Sequence, residues 1–461
     1  MALDLARWQF AIVTIYHFFF VPETIGLGLL VATMQTLAYR GKDAVWDRLS
    51  RFFGRIFLIS LAVGVVTGIV LEFEFGLNWS AYSVFVGNIF GAPLAIEGLL
   101  AFFLESTFIG LWIFGRNQLS PGLHLATIWA VSAGTIISAF WILAANAWMQ
   151  HPVGYTIQGG QAVLTDFWAL LENSTLWASF FHTVLAAFAT AAALVVGISI
   201  WRLYRAAKDD PEREAFRRAT RLAAWVGLAS TVLAAVTGDI QARLMDVQQP
   251  MKMAAAEALY DTSNGASFSL LTIGDLSGNP IFQIRVPHLL SLIATLSWDG
   301  QVLGINQMQA AEAAQYGAGN YTPILWITYW SFRAMVGAGF LMIFLAAWAL
   351  WLGRGRQFAQ NRWFRRAALA GILLPLIANT SGWVFTEVGR QPWIVYGLMT
   401  TDKGISPVGA GDIAFTLAVF VAVYTALAIV AITLVLRAVR QPLEEHDDHE
   451  ASATALPGLI Y

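Results

Sequence analysis

Ionisable and sulfur-bearing side chains stand inside long apolar stretches of this sequence. They are His17, Glu97, Glu105, His182, Arg333, Met335 and Glu387. A charge near the centre of a lipid bilayer costs roughly 3 kcal/mol or more, so such residues usually face the interior of a helix bundle and serve a function. Histidine and methionine bind haem iron as axial ligands, whereas buried carboxylates relay protons in pumps and transporters. These residues by themselves therefore leave redox chemistry and transport both open.

Composition places the chain in a membrane. Of its 461 residues, 57% are apolar and 12% are charged, against roughly 25% charged residues in soluble domains. The net charge of −2 argues against nucleic acid as a partner. The absence of cysteine excludes disulfides, thiolate zinc sites and cysteine-held iron–sulfur clusters. The first apolar stretch lacks a basic region and a small-residue cleavage site, so we interpret it as a retained helix.

Hydropathy predicts an all-α integral membrane protein with nine transmembrane helices. A helix needs about 20 mostly apolar residues to cross a bilayer, and nine stretches qualify: 10–38, 53–75, 93–115, 124–148, 176–201, 219–238, 322–352, 367–387 and 411–437. The connectors alternate without a break between rich and poor in Lys and Arg. Because these residues accumulate on the cytoplasmic side, the N-terminus is predicted outside and the C-terminus in the cytoplasm.

This topology brings the buried ionisable residues to a similar depth. His17, Glu97 and His182 are expected a turn or two below the outer surface, and Glu387 ends its helix at that level. Histidines and carboxylates at one depth are what a cofactor cluster requires. On a regular helix, Glu97 and Glu105 would lie within about 80° on one helix face and roughly 12 Å apart along the axis. Glu105 would then point from the cluster towards the inside, as a proton relay would.

The pattern divides the chain into four segments. Residues 1–238 hold helices 1–6, and residues 322–440 hold helices 7–9. Residues 239–321 form the longest non-spanning segment, predicted outside the cytoplasm, and loops of that length are usually functional. Residues 441–461 form an acidic tail that we expect to be disordered and cytoplasmic.

Each buried residue also has a plainer structural interpretation. A single membrane histidine is often an interhelical hydrogen-bond partner, methionine fills gaps in cores, and a carboxylate near a helix end, such as Glu387, can reach the interface. Glu72 and Glu74 are interpreted as solvated residues at the end of helix 2. No role is assigned to the remaining histidines, which are His124, His151, His288, His446 and His449.

Four short motifs narrow these alternatives. Residues 91–98 (GAPLAIEG) and 102–107 (FFLEST) belong to helix 3, residues 141–150 (WILAANAWMQ) to helix 4, and residues 389–393 (GRQPW) follow helix 8. Together they resemble the signatures of subunit I of the cytochrome bd-type quinol oxidases, and the resemblance spans nearly the whole chain. It implies a terminal respiratory oxidase of the bacterial cytoplasmic membrane. Such an enzyme oxidises quinol at the outer face, reduces O2 to water at a di-haem site, and separates charge without pumping.

The resemblance also implies the cofactors, which are a low-spin haem b, a high-spin haem b and a haem d. His182 and Met335 match the axial ligands of the low-spin haem, and His17 matches an axial ligand of a high-spin haem. A neutral imidazole and a thioether suit a closed, six-coordinate electron-transfer site. Which high-spin haem is b and which is d stays open.

Carboxylates and neighbouring residues complete the implied site. Glu97 and Glu387 match carboxylates at the two high-spin haems, where they are further candidates for iron ligation, and together with Glu105 they are the candidate catalytic residues. Three residues match the haem environment, with Arg333 offsetting propionate charge: Arg333, Trp383 and Arg390. Three match a proton path from the inside: Glu105, Ser106 and Ser138.

Residues 249–257 (QPMKMAAAE) resemble the core of the family's quinol-binding loop. Lys252 and Glu257 match quinol-site residues, and quinol must lose two protons as it gives up two electrons. Glu257 can accept a proton, and Lys252 can hold a quinol oxygen. Without the resemblance, a charged amphipathic helix on the surface would be the simpler interpretation. The segment lacks a lengthening insertion, which indicates the short-loop class.

Two residues depart from the family pattern. Glu23 stands six positions after His17, where an apolar residue is expected, and it could form a local ion pair or extend a polar path. Thr380 stands where many members carry a second glutamate, which weakens any mechanism that needs two carboxylates on helix 8.

The implied partners are subunit II of the oxidase, one or more small single-helix subunits, the lipid bilayer, quinol and O2. Two alternatives stay open. A haem-free, proton-coupled membrane transporter would use the same buried residues and would be colourless. A di-haem electron conduit without oxygen chemistry would contain haem b alone.

Overall fold

The computed structural model describes residues 1–207, 210–274, 276, 280–354 and 361–443. Within these residues, nine helices are long and apolar enough to cross a membrane, which confirms the hydropathy prediction. They are α1 (Ala2–Gly41), α2 (Ala44–Leu77), α3 (Ser80–Phe114), α4 (Pro121–Gln150), α5 (Ser174–Arg205), α6 (Glu212–Gln248), α7 (Leu325–Arg354), α8 (Arg362–Val388) and α9 (Ala410–Arg440). The predicted acidic tail lies, from residue 444 onward, outside the described residues.

Local signals in the sequence set the helix ends. Asp43 caps α2 by accepting a hydrogen bond from Val45 N, and Asn173 caps α5 in the same way. Such side chains satisfy backbone N–H groups that have no partner inside the helix. The predicted helix 6 ended at 238, but α6 continues to Gln248. Nothing in residues 239–248 interrupts a helix, and the next helix begins only at Pro250, whose ring suits a first helical position.

Helix α1 occupies the middle of the bundle. It packs against α2, α4, α5, α8 and α9, while α6 packs against both α5 and α7. We call the end of the bundle at which α1 begins the N-terminal end. One apolar core lies at that end, and its large members include Trp79, Tyr82, Phe90 and Trp148. A larger core lies towards the opposite end and includes Phe52, Phe53, Phe57, Trp112 and Phe216.

The segment between α6 and α7, expected as a loop, is folded. It opens with a short helix, Pro250–Glu257, which we call the loop helix. Strands Phe268–Gly274 and Pro280–Val286 then pair antiparallel, with Phe268 opposite Val286. Two further helices, Leu289–Thr295 and Ile305–Tyr316, follow. The segment has its own apolar cluster, which includes Met253, Leu259, Leu290 and Val302.

Helix α3 is not regular. Its residues Glu97–Phe102 form a π-helical turn between α-helical parts Ser80–Ile96 and Phe103–Phe114. Such a turn accommodates one extra residue in a helix and is frequent at functional sites. Glu97 is the first residue of this turn, and Glu105 lies three residues after its end.

Candidate functional site

His182 on α5 is held in one tautomer by α6. Its Nδ1 lies 2.9 Å from Ala234 O. A carbonyl oxygen only accepts, so Nδ1 carries the proton and Nε2 keeps the lone pair that an iron atom requires. A Cβ placed on Gly238 would lie 3.4 Å from His182 Cε1, so the imidazole is packed closely against the α6 backbone.

His17 on α1 has the same arrangement with α2. Its Nδ1 lies 2.9 Å from Thr67 Oγ1, and that hydroxyl already donates to Val63 O and Gly64 O. The single proton of that hydroxyl has two carbonyl acceptors, so donation from Nδ1 is the favoured arrangement, and it again leaves Nε2 free. A Cβ on Gly68 would lie 3.1 Å from His17 Cε1.

The Met335 side chain on α7 also packs against a glycine. A Cβ on Gly382 of α8 would lie 3.0 Å from Met335 Sδ, so a larger residue there would displace the sulfur. The following residue, Trp383, packs edge-on against Phe18 with ring centroids 5.0 Å apart. Trp383 thus contacts Phe18, the residue after His17, and is itself the residue after Gly382, which lies beside Met335. This intermediate position suits an aromatic residue between haems.

Two buried arginines also bear on whether a haem group fits this site. Arg390 is 2% exposed, and the Arg333 side chain is 10% exposed. Arg390 Nη1 and Arg333 Nε nevertheless find no hydrogen-bond partner among the described residues. Buried donors are normally satisfied, and a propionate would satisfy them. Over the same residues, no group of three or more His, Asp or Glu side chains could hold a metal ion by itself. The unpaired arginine donors, together with the free Nε2 atoms of His17 and His182, fit a haem group and its propionates.

The α3 carboxylates both face α4. Ser138 Oγ donates to Glu97 Oε1 at 2.7 Å. One turn earlier on α4, Gly134 leaves room for Glu105, whose Cγ lies 2.7 Å from the Cβ position of that glycine. The π-helical turn absorbs one residue, so the two carboxylates lie within roughly 20° of one line along α3. The sequence prediction placed both carboxylates on one helix face within about 80°, and the π-helical turn brings them nearer to one line.

Ser106 lies apart from this pair. It is on the exposed side of α3, and its hydroxyl donates to Phe103 O at 3.2 Å. The structure therefore brings Glu97, Glu105 and Ser138 together and leaves Ser106 facing away from them.

Glu387 ends α8 in a polar group contributed by several elements. Arg390 forms an ion pair with it, and Asn146 Nδ2 donates to Glu387 Oε1 at 3.2 Å. Gln150 Nε2 in turn donates to Asn146 Oδ1 at 2.8 Å. Asn146 and Gln150 were not singled out from the sequence, although their spacing of four residues puts them on one face of α4.

Lys252 reaches the same group from the loop helix. Its Nζ donates to Thr386 O at 3.1 Å and to Gln150 Oε1 at 3.4 Å. Lys252 is only 5% exposed. Burial lowers its pKa to about 7, and Arg390 adds to the effect while Glu387 opposes it. The loop helix is buried along almost its whole length, so it is not a surface helix.

Glu257, at the other end of the loop helix, forms an ion pair with Arg333. Its Oε1 lies 3.0 Å from Arg333 Nη2, and its Oε2 accepts from Ser269 N at 2.7 Å. Arg333 also donates to Ala256 O and Ser269 O. Burial raises the pKa of Glu257, although Arg333 opposes the shift. The charge of Arg333, expected to offset a propionate, is thus shared with this carboxylate.

Two carboxylates outside the predicted site are also within the protein. Glu74 is fully buried and accepts from Gln9 Nε2 at 2.6 Å, so its interpretation as a solvated helix end was wrong. It lies on the face of α2 that meets α1, which the hydropathy of the stretch does not reveal. Glu23 accepts from Ser60 Oγ at 3.1 Å rather than forming an ion pair.

Known proteins resemble this chain over nearly its whole length. The family model described as cytochrome bd terminal oxidase subunit I matches residues 5–443. The chain is 45% identical to cytochrome bd ubiquinol oxidase subunit 1 of Bacillus subtilis (strain 168), over 99% of this chain and 97% of that relative. It is 35% identical to cytochrome bd-II ubiquinol oxidase subunit 1 of Escherichia coli (strain K12), over 94% and 95% of the two chains.

The fold has a close counterpart among solved structures. The bd oxidase from Geobacillus thermodenitrificans contains a chain that superposes with a TM-score of 0.86 at 29% sequence identity. The superposition covers 95% of this chain and 98% of the other. The nine helices identified in the described part of the chain therefore match a known membrane fold.

Proposed function

The chain belongs to the cytochrome bd terminal oxidase subunit I family, and from this premise we propose that it holds a low-spin haem b, a high-spin haem b and a haem d. It is an oxidoreductase, a quinol oxidase subunit that contains haem, and it crosses the bacterial cytoplasmic membrane several times. The proposal places quinol oxidation at the outer face and the reduction of O2 to water within the helix bundle.

The main observation behind the proposal is the hydrogen bonding of the two histidine rings. His182 and His17 each donate from Nδ1 to a fixed acceptor and each keep Nε2 free. Such an outer hydrogen bond orients a ligating imidazole and raises its basicity. We assign His182 and Met335 to the low-spin haem and His17 to a high-spin haem, with Glu97 and Glu387 at the high-spin sites. When bound, the haems supply electron transfer and the place where O2 is reduced.

The folded 239–321 segment is proposed to form the quinol site. Lys252 would hold a quinol oxygen, and Glu257 would accept a proton, for which its raised pKa suits it. Both residues belong to the loop helix, which touches α8 through Lys252 and α7 through Glu257. The site is thereby anchored to the two helices that carry Glu387 and Met335.

Protons for water formation are proposed to come from the cytoplasm through Glu105. The hydrogen bond from Ser138 orients Glu97, and the space left by Gly134 keeps Glu105 on the same line. The connectors rich in Lys and Arg support an N-terminus outside and a C-terminus inside. Quinol protons would leave outside and chemical protons would enter from inside, so charge separates without a pump.

The protein works within an oxidase complex. We infer that subunit II and one or more small single-helix subunits complete it. The tail beyond residue 440 is proposed to stay cytoplasmic.

The test is a reduced-minus-oxidised absorption spectrum of the purified complex. A red-shifted chlorin band beside haem b bands is expected. Haem b bands alone would favour the electron conduit, and a featureless spectrum from folded protein would favour the transporter. The His182→Ala variant should lose the low-spin signal, whereas His288→Ala, in the connector and 37% exposed, should keep it. A normal low-spin spectrum in His182→Ala would overturn the assignment.

A further inference from the structure

Polar groups follow one face of α1, and apart from His17 they have no part in the function proposed above. Residues His17, Thr24, Gly28 and Gln35 lie within about 20° of one line along this helix. Glu23 lies about 100° around the helix from this line and reaches across to α2. An ionisable residue within a membrane helix is costly and usually functional, yet Glu23 has no place in the path through Glu105.

The part of this line nearest the N-terminal end is formed with α2. Thr67 Oγ1 bonds to His17 Nδ1 at 2.9 Å and donates to Gly64 O at 3.1 Å. The Cβ position of Gly64 is 3.7 Å from Thr24 Oγ1. Two turns along α2 from Thr67, Ser60 bonds to the Glu23 carboxylate. Hydroxyl groups therefore line the interface from His17 to Glu23.

The remaining part is formed with α4 and ends at a histidine. Gly28 lies against α4, and its Cβ position is 3.5 Å from Ser132 Oγ. Farther along, Gln35 Nε2 lies 2.8 Å from His124 Nδ1. His124 Nε2 lies 2.9 Å from Trp112 O, so Nε2 is the donor and Nδ1 the acceptor. His124 is 5% exposed, and a proton can bind its Nδ1 only when the hydrogen bond from Gln35 is broken.

Two hydroxyls in the gaps of this line have no partner. Thr24 Oγ1 and Ser132 Oγ are buried and make no hydrogen bond to any described residue. Buried polar groups without a protein partner are commonly satisfied by ordered water. Water at Thr24 would join the bonded pair Ser60–Glu23 to His17. Ser132 and His124 are eight residues apart on α4, roughly 12 Å along its axis, so several waters would be needed between them.

We propose that α1 carries a second proton relay, in which Glu23 passes protons from His124 to the pocket beside His17. Each transfer moves one proton outward from the Glu23 carboxyl group through the hydroxyls near Thr24 and Thr67. Glu23 then regains a proton through water near Ser132, so its charge is restored after each step. The relay rests on the proposed function, since it needs proton consumption beside His17.

The experiment uses the complete oxidase complex with Glu23→Gln, Glu105→Gln and the double variant. Proton uptake is measured after an oxygen pulse to the reduced enzyme. Glu105→Gln should keep part of its uptake, and the double variant should be slower by a further factor of about 10². Uptake in the double variant equal to that of Glu105→Gln would overturn the relay.

A second readout does not need turnover. In infrared difference spectra between two pH values, the oxidised complex should show C=O stretches of protonated carboxyl groups, and Glu23→Gln should lose one component of that signal. The same signal in both proteins would overturn the proposal. If the wild-type complex shows no haem spectrum, the proposed function fails instead, so the two failures are distinguishable.

Variants of the uncharged positions cover the case in which Glu23→Gln does not assemble. Thr24→Val and Ser132→Ala, each combined with Glu105→Gln, should slow proton uptake by at least about tenfold. The matched control is Thr33→Val on the same helix, because Thr33 only donates to Leu29 O and lies off the line. Unchanged uptake in both Thr24 and Ser132 variants would overturn the relay.

Discussion

Removing Arg333 should lower the free energy that holds the loop helix against α7 by several kcal/mol. The ion pair between Arg333 and Glu257 has a separation of 3.0 Å, with side chains 10% and 1% exposed. Breaking a buried pair by removing one partner typically costs about 3–5 kcal/mol, because the other charge stays buried without compensation. Arg333→Met should therefore weaken the attachment of the loop helix to α7 by about that amount.

The amide of Ser269 reports this change directly, since its N–H donates to Glu257 Oε2 at 2.7 Å. Hydrogen exchange measures the free energy of local opening. At about 1.36 kcal/mol per factor of ten, a loss of 3–5 kcal/mol speeds exchange at this amide by roughly 150- to 5,000-fold. A double-mutant cycle with Glu257→Gln separates the charge interaction from the lost bonds to Ala256 O and Ser269 O.

The control is an exposed pair of the same residue types. Arg217 and Glu214 lie 3.7 Å apart with side chains 29% and 52% exposed, and such pairs contribute about 1 kcal/mol or less. Arg217→Met should therefore change exchange near Glu214 by less than about fivefold. An effect of Arg333→Met no larger than this control would refute the reasoning.

The pH dependence of the exchange defect in Arg333→Met provides a second check. Burial raises the folded-state pKa of Glu257, so the folded protein binds this proton more tightly than the unfolded chain. The penalty for burying the charge is absent below the unfolded pKa and grows as pH rises towards the folded pKa. Without Arg333 the folded pKa rises further. The exchange defect should therefore shrink as pH falls towards about 4.3, and a defect that grows on acidification would contradict the account.

Three further outcomes are expected. Gly382→Ala should push Met335 Sδ, 3.0 Å from the new Cβ, and convert part of the low-spin haem to high-spin in absorption spectra. Gly238→Ala, with an ordinary 3.4 Å contact, should not. Because the pKa of Lys252 is lowered to about 7, its protonated fraction falls roughly tenfold between pH 6 and 8. KM for quinol should rise over that range, and Lys252→Met should raise KM and remove the pH dependence. Ser138→Ala should lower kcat by at least about tenfold with little change in quinol KM, because it removes the bond that orients its carboxylate partner on α3.

The spanning helices could be predicted because each buries a long apolar stretch, and hydropathy detects such stretches directly. Their ends could not. Helix α6 continues ten residues beyond its predicted end at 238, through a polar stretch that includes the ion pair between Asp239 and Arg243. Helical periodicity persists there, whereas the apolar signal stops. The structure of the 239–321 segment depends on contacts between distant residues, such as Ser269 with Glu257, which a one-dimensional pattern does not contain.

The candidate residues were easier to find than their neighbours. His17 and His182 stand out because an ionisable group in an apolar stretch is rare. Their partners Thr67 and Ala234 are ordinary residues in helices that only the fold brings near. The burial of Glu74 escaped for the same reason, since facing α1 or facing lipid looks alike in hydropathy. The assignment of the haems to these residues stays a prediction.

The π-helical turn Glu97–Phe102 has a consequence for how this protein can change in length. Losing one residue from a membrane helix normally rotates everything beyond the gap by about 100°. On α3 such a loss would instead convert the wide turn into regular α-helix and leave both flanking registers unchanged. Relatives one residue shorter at this point would therefore keep both carboxylates facing α4. A one-residue gap there in a sequence alignment is compatible with an intact site.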